Sequence, residues 1–589
     1  MTGGLYRSAH AARDGDRPPL DGATMISADP GGSAGHDEPP GSEPARPAPP
    51  GKADDTAGNS AVMALGSLVS RMVGFLRTVM IGAALGGAAG SIGDAYTNAT
   101  FLPSQIYELL LGGILSSVLV PMLVRRRKSD PDGGQAYTQK LLTFAVAGLA
   151  VAALITVALA SVFTMIQASK GSGDYQRLVT LFAYLILPVI FFMGLSALLG
   201  AVLNVRGHFA APVWAPILNN IVVIAACGTF IAVFGNAKGL RPEQMTPGQI
   251  GLIGGATLLG MVAQSAGLVP ALRKVGFTWR WRWDPRSLGL RELGRLAGWM
   301  FCYVAANQVA FFILVNQLSG VDAGDGRAGL LIFNNVYLLV MMAHGIIGVS
   351  VMTALMPRMS AAAADGRLPD VAADLTRGIR MTTTALAPVA VVYGVLAAPI
   401  AVALFRHGAF TAAEATATAG VLVVAAFIVL PLSVSQLCTY AFYAMQGNKT
   451  AALINLPVVV IRIGVQLTLV HLLTDDLTAA GLTAGNGVSY LASAIISLVV
   501  LRGRVGRLGL GSVGAMLGKV LVAAACAAAA GFGVVRLLPG GGTPDLPQAI
   551  LQLAVGGAVI LIVYLGVAAL LRVREISQVI GMVRRKIGR

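Results

Sequence analysis

Fourteen apolar runs, each close to the ~20 residues that carry a helix across a hydrocarbon layer, dominate this 589-residue chain. They lie near 61–86, 94–122, 139–166, 177–204, 212–234, 249–270 and 296–319, then 328–356, 378–405, 415–445, 450–473, 478–501, 511–537 and 547–571. A bilayer leaves backbone N–H and C=O groups no partner except their own helix or a closed barrel. Runs of this length with so few charges therefore predict an all-α membrane protein with 14 transmembrane helices. Charged residues make up 12% of the chain, about half the ~25% usual in a soluble domain. The connections are too short to hold a sizeable soluble catalytic domain.

The formal net charge of +16 raises the question of nucleic acid, but the basic residues sit in short loops between apolar runs. Taking the N-terminus as cytoplasmic, the connections after even-numbered helices and the C-terminal tail carry twenty-six Lys and Arg, the outer connections seven. That asymmetry is the positive-inside pattern; it predicts both termini inside and no nucleic-acid partner. Residues 1–58 contain no apolar run and no signal-peptide core, so a disordered cytoplasmic tail is expected. Cys227, Cys302, Cys438 and Cys526 lie singly in apolar runs and read as small core residues, not as a disulfide or zinc framework. His344, deep in a run, reads as a packing residue before a proton relay.

Two pairs of anchors suggest duplication. Gly112, Ser117 and Pro121 close the second run, and Gly348, Thr353 and Pro357 close the eighth with the same spacing. Arg206-Gly207-His208 and Gln446-Gly447-Asn448 follow the fourth and tenth runs. A repeat of six helices, an even number, keeps both copies in the same orientation. The expected organisation is a tail (1–58), an N-lobe (59–272), an amphipathic cytoplasmic linker (273–295) and a C-lobe (296–505). Two further helices (506–572) and a basic tail (573–589) complete it. In the linker, Trp279, Trp281 and Trp283 alternate with Arg280 and Arg282, a pattern suited to the headgroup layer.

No nucleotide-binding loop, nucleophile elbow or metal-ligand spacing occurs, so an enzyme or an ATP-driven pump is not expected. What remains is polar chemistry inside the spans. Arg71 and Arg77 lie in the first run, where a mid-membrane arginine costs at least ~2.5 kcal/mol and normally faces a cavity or a charged partner. Six residues separate them by ~9 Å of rise and ~120° on an ideal helix, so aiming both at one spot needs a bend, for which Gly74 is the candidate. A guanidinium fork suits phosphate; the structural alternatives are pairing with Asp94 or Glu108, or snorkelling of Arg71 to the cytoplasmic surface. Asp94 reads as an N-cap of the second helix or a cargo contact, and Glu108 as the partner of Arg77 or of its own helix. The substrate-binding set is thus Arg77, Arg71, Asp94 and Glu108, with no cofactor and no metal.

Several motifs carry a resemblance. SRMVGFLR, GDAY, GAVLNVRGHFAAPVWAPILNN (200–220), GIIGVSVMTALMPRMS (345–360), FRHGAFT (405–411) and AFYAMQGNKT (441–450) occur in order, and over about residues 60–570 the chain resembles the lipid II flippases of the MurJ/MviN family. The resemblance implies two six-helix lobes around a central cavity, with a groove for a polyprenyl tail on the last two helices. Lipid II, the undecaprenyl-diphosphate-linked peptidoglycan precursor, would move to the outer leaflet by alternating access. Membrane potential or an ion (H+ or Na+) would supply the drive, and membrane lipids and cell-wall synthesis proteins would be partners. Arg71 and Arg77 match the family's first-helix arginines and Asp94 its helix-two aspartate. Where many members carry further arginines this chain has Tyr107 and Glu108 in helix two and Tyr337 and Leu338 in helix eight, a departure that looks like the actinobacterial branch. The rival functions are a drug or cation antiporter of the same superfamily and a non-transporting cell-wall scaffold.

Overall fold

The computed structural model describes residues 51–86, 92–111, 122–123, 126–127, 130–288, 290–319, 329–540 and 544–576. Contacts divide the chain into residues 1–57, of which only 51–57 are described, and residues 58–589, which hold everything considered below. Among the described residues every regular element is helical. The first half contains α1 (Gly51–Leu85), α2 (Ile92–Leu111), α3 (Gln135–Ala158), α4 (Ala160–Gln167), α5 (Gly173–Ile186), α6 (Val189–Val205), α7 (Ala210–Phe234), α8 (Pro247–Ala266) and α9 (Val269–Lys274). The second contains α10 (Leu290–Leu318), α11 (Leu330–Ala343), α12 (Val349–Ala364), α13 (Leu368–Val395), α14 (Ala397–Phe405), α15 (Ala412–Ala426), α16 (Val429–Ala444), α17 (Asn448–Leu472) and α18 (Thr478–Val505). Two more, α19 (Leu510–Leu537) and α20 (Leu546–Leu570), follow.

Ten helical segments are long and apolar enough to cross a membrane, or up to twelve if the bent pairs α5–α6 (40°) and α15–α16 (48°) each form one span. That range stands against the fourteen expected; the other two expected spans, 61–86 and 94–122, fall on α1 and α2. The end of the second, with Gly112, Ser117 and Pro121, lies outside the described residues, as do residues 1–50 of the expected tail. Residues 51–58 are helical, as the opening turns of α1. Alanines 53 and 57 favour continuing the helix past the apolar run.

The two halves break their helices at matching places. Leu159 separates α3 from α4, and Leu396 separates α13 from α14. Pro188 sits in the break between α5 and α6, and Pro431 is the third residue of α16, just past the break in the other bent pair. Proline removes one helical hydrogen bond and clashes with the carbonyl four residues back, so each marks a bend. The turns after α6 and α16 also share a geometry. The N–H of His208 donates to the carbonyl of Leu203 at 2.9 Å, and that of Gly447 to Phe442 at 2.7 Å. Gly207 and Gln446, the preceding residues, take positive φ (81° and 56°), the left-handed stop that closes a helix with a six-to-one bond. The Leu159–Leu396 and Gly207–Gln446 pairs are offset by 237 and 239 residues, between the 236 and 240 of the sequence anchors.

Three buried apolar clusters hold the bundle. One joins α2, α5, α7 and α8 to the end of α1, with Leu331 of α11 inserted. A second joins α3, α6 and α9 with Phe277 and Leu288. The third runs through α10 to α20, so the last two helices share the core of the second half. Cys227 and Cys438 are buried, but Cys302 and Cys526 are exposed; a membrane helix has an apolar lipid-facing side that hydropathy does not distinguish from its packed side.

Connections between helices are tied to one another at both ends of the bundle. At one end Lys140 Nζ lies 2.7 Å from Asp284 Oδ2, Arg380 Nε 2.6 Å from Glu575 Oε1, and Arg504 Nη2 donates to Thr450 Oγ1 at 2.6 Å. At the other, the N–H groups of Ala237 and Ala409 donate to the carbonyls of Ala84 and Ala83, each at 2.8 Å. The linker is no helix at its tryptophans: residues 277–284 run as an irregular strap along α3. Thr143 Oγ1 accepts from the Arg282 N–H (3.1 Å) and Trp279 Nε1 (3.4 Å). Trp281 and Trp283 are exposed. The Lys140 ammonium, with Ser287, holds the Asp284 carboxyl below the usual carboxylate range.

Candidate functional site

A cavity of about 520 Å³ lies between α1, α2 and the α5–α8 region of the first half and α11 of the second. Its size is within the ~300–1,000 Å³ of ligand pockets. Arg71 and Arg77 of α1 both line it, together with hydroxyls and amides such as Thr97, Thr100, Asn219, Asn220 and Asn334, and among the described residues no carboxylate lines it. The helix α1 runs uninterrupted through Gly74, so no break brings the two arginines together; the cavity follows the helix far enough to take both. Gly74 serves packing instead, since a Cβ there would lie 3.3 Å from Asn220 Nδ2.

Neither arginine has a carboxylate within 4 Å among the described residues. Among the described residues Arg77 Nε is buried with no hydrogen-bond partner, and Asn219 Oδ1 on the facing wall is in the same condition. Both leave hydrogen-bonding capacity on the cavity wall that a water or an ion can take up. Arg71 is exposed and its guanidinium lies over Gly345, where a Cβ would collide with it. Gly345 belongs to a π-helical turn, His344–Gly348, between α11 and α12, an irregularity that recurs at functional sites. His344 itself is buried and bonded through Nδ1 to Ser433 Oγ at 2.8 Å, a packing arrangement.

Asp94 stands elsewhere. It is fully buried, lies outside the cavity lining and is the third residue of α2. Its Oδ2 accepts from Tyr175 OH at 3.0 Å and its Oδ1 from the Leu331 N–H at 3.1 Å. The second bond satisfies an open donor at the start of α11, so this carboxylate caps a helix of the opposite half. Asn98 extends the network, donating to Ser319 Oγ at 2.6 Å and accepting from Gln167 Nε2 at 2.8 Å. Among the described residues, all hydrogen bonds crossing between the halves lie at this one end. Glu108 is exposed, lines no part of the cavity and has no cation within 4 Å among the described residues; the expected pair with Arg77 is not formed.

The sequence reading left out Arg462, as it did Lys519 in the 511–537 run. Arg462, midway along α17, donates to Ser489 Oγ (3.2 Å) and Asn307 Oδ1 (3.4 Å) and lies 5.5 Å from the Tyr490 ring. The signal was present, since it stands alone in the 450–473 run. Among the described residues no group of three or more His, Cys, Asp or Glu is arranged to hold a metal ion.

Known proteins are similar to this chain in sequence and fold. The "Lipid II flippase MurJ" family model matches residues 81–546. The lipid II flippase MurJ of Burkholderia cenocepacia is 28% identical over 356 residues, 59% of this chain and 65% of that protein. The probable lipid II flippase MurJ of Vibrio cholerae is 26% identical over 359 residues, 59% and 64% of the two chains. The match thus spans just under two thirds of the length of these curated relatives. Among solved structures, a lipid II flippase MurJ in an inward closed conformation superposes with a TM-score of 0.65 at 19% identity, covering 85% of this chain and 98% of that one. An inward-facing multidrug transporter of the MATE family gives 0.60 at 15% identity, covering 76% and 98%. With a family model matched over most of its length, the chain belongs to the lipid II flippase MurJ family.

Proposed function

We propose that this protein translocates lipid II from the inner to the outer leaflet of the cytoplasmic membrane, by alternating access of the cavity between its halves. The observation that carries the reading is the cavity's charge: two guanidinium groups, neutral hydrogen-bonding side chains and no carboxylate. A diphosphate is the part of lipid II such a surface recognises, through charge-assisted and bidentate bonds. Arg77 is its first contact and Arg71 a second, nearer the open end. Asp94 acts as a fastener between the halves and Glu108 takes no part in binding. A cation antiporter of the same superfamily needs acidic cavity residues, which this lining lacks.

The topology that fits is fourteen spans, with α1 and α2 completing the bundle and both termini in the cytoplasm. Two lobes, 59–272 and 296–505, then rock against each other. In that orientation the fastened end faces outward and the cavity opens toward the cytoplasm, where the precursor is made. The polar headgroup enters near Arg71, the diphosphate settles at Arg77, and the polyprenyl tail stays in lipid. Opening the Asp94 end while the other closes delivers the headgroup outside. Each charge crossing the field is worth ~2.3 kcal/mol per 100 mV, enough to bias the cycle.

The test is complementation of a flippase-depleted strain. Wild type should restore growth, and Arg77→Ala should not, although it inserts at the same level. Full growth of the Arg77→Ala strain would refute the assignment.

A further inference from the structure

A second cavity, of about 470 Å³, lies in the second half and shares no lining residue with the Arg71–Arg77 chamber. Four arginines from three separate stretches line it: Arg377 and Arg380 of α13, Arg507 before α19, and Arg574 after α20. One carboxylate, Glu575, is present, and its Oε1 accepts from Arg380 Nε at 2.6 Å. That leaves three guanidiniums in the pocket with no described acid partner. The rest of the wall combines small residues, Ala372, Ala373 and Gly509, with Pro369, Thr376 and Met381.

Four like charges repel one another, and stability alone gives no reason to gather them around an open space. They become favourable when an anion sits among them, and a phosphate matches the guanidinium fork. The position selects the source of that phosphate. Met381, on the rim, is 41% exposed, and Leu517 and Leu521 of α19 are 36% and 63% exposed. The pocket therefore stands where lipid-facing helix surface begins, the depth of a phospholipid's phosphate. Basic pockets between membrane helices on the cytoplasmic side bind anionic headgroups in this way.

We infer that this pocket is a binding site for the phosphodiester headgroup of an anionic phospholipid of the leaflet it faces. It goes beyond the transport reading, and only the name of that leaflet rests on the proposed orientation. A lipid here ties α13, α19 and α20 together at their ends, beside the helices that follow the second lobe.

The probe is phosphatidylglycerol, added to the purified full-length protein in a neutral detergent, with thermal unfolding as readout. Saturable stabilisation is expected with phosphatidylglycerol and none with phosphatidylcholine or equal inorganic phosphate. The triple variant Arg377→Gln, Arg507→Gln, Arg574→Gln keeps the Arg380–Glu575 pair and should weaken the phosphatidylglycerol effect by about 100-fold, at roughly 1 kcal/mol per arginine. In wild type, phosphatidylglycerol should also protect Arg377, Arg507 and Arg574 from phenylglyoxal, which keeps the proposal testable if the variant misfolds. Equal stabilisation by phosphatidylcholine, a phosphate effect matching that of the lipid, undiminished binding by a folded triple variant, or no protection of these arginines would each overturn it. Because Arg77 is untouched, loss of transport by Arg77→Ala neither supports nor harms this site.

Discussion

Replacing Asp94 with alanine separates a fastening role from a binding role. The side chain is fully buried and accepts from Tyr175 OH and from the Leu331 N–H. Alanine leaves both donors in a dry site. Each orphaned donor costs ~1–3 kcal/mol, so Asp94→Ala should destabilise the closed end by about 2–6 kcal/mol. Asparagine keeps one acceptor oxygen and should lose roughly half of that. Because the two donors belong to opposite halves, the loss should appear as opening as well as a lower melting temperature. A single cysteine at Thr97 in a cysteine-free background reads this through labelling by an impermeant maleimide from the fastened side. Labelling should rise in the order wild type, Asp94→Asn, Asp94→Ala, while diphosphate binding by the still-folded fraction stays unchanged. If both variants melt and label like wild type, or if they lose only ligand binding, the fastener argument is wrong.

Three further outcomes follow from the geometry. Gly345→Val should impair transport by displacing the Arg71 guanidinium that lies over Gly345; combining it with Arg71→Ala should cost less than the sum of the two, as a double-mutant cycle reads. Arg77→Ala should melt no lower than wild type, since no carboxylate partner is orphaned among the described residues; a drop of the 3–5 kcal/mol seen when a buried ion pair is broken would reveal one. The strap 277–288 should show a pH dependence through Asp284, whose carboxyl is held low by the Lys140 ammonium and Ser287. A depressed carboxylate contributes fully above its ordinary value near 3.9 and is lost as pH falls through the lowered one. Hydrogen exchange of the strap should therefore be flat from neutral pH down to about 4 and lose protection only below it, and Lys140→Ala should lower the protection at neutral pH.

The helical class was legible because a bilayer allows an apolar run so few conformations. The same physics hid the breaks: Leu159 and Leu396 are ordinary apolar residues, and Pro188 and Pro431 look in sequence like Pro103, Pro216, Pro357, Pro388 and Pro457, which lie inside helices. Arg71 and Arg77 stood out as charges in hydrocarbon, yet Arg462, equally embedded, went unremarked beside the stronger motifs. Neutral lining residues such as Thr97 and Asn334 look like any polar residue until a cavity gathers them. Asp94 was expected to serve its own helix or the cargo, and its bond to Leu331, 237 residues away, has no local trace. The basic pocket shows the same limit. Arg377, Arg507 and Arg574 each read as a topology signal, and their convergence appears only when three helix ends meet.

The central claim, that a cationic chamber carries the phosphates of a lipid across the membrane, is tested most directly by leaflet assay. Protein is reconstituted into vesicles with labelled lipid II, and the fraction reaching the opposite leaflet is read by an impermeant reagent. Wild type should move the lipid in minutes, while Arg77→Ala, inserted in the same orientation and melting no lower, should leave it where it was loaded. Equal translocation by the two proteins would contradict the account.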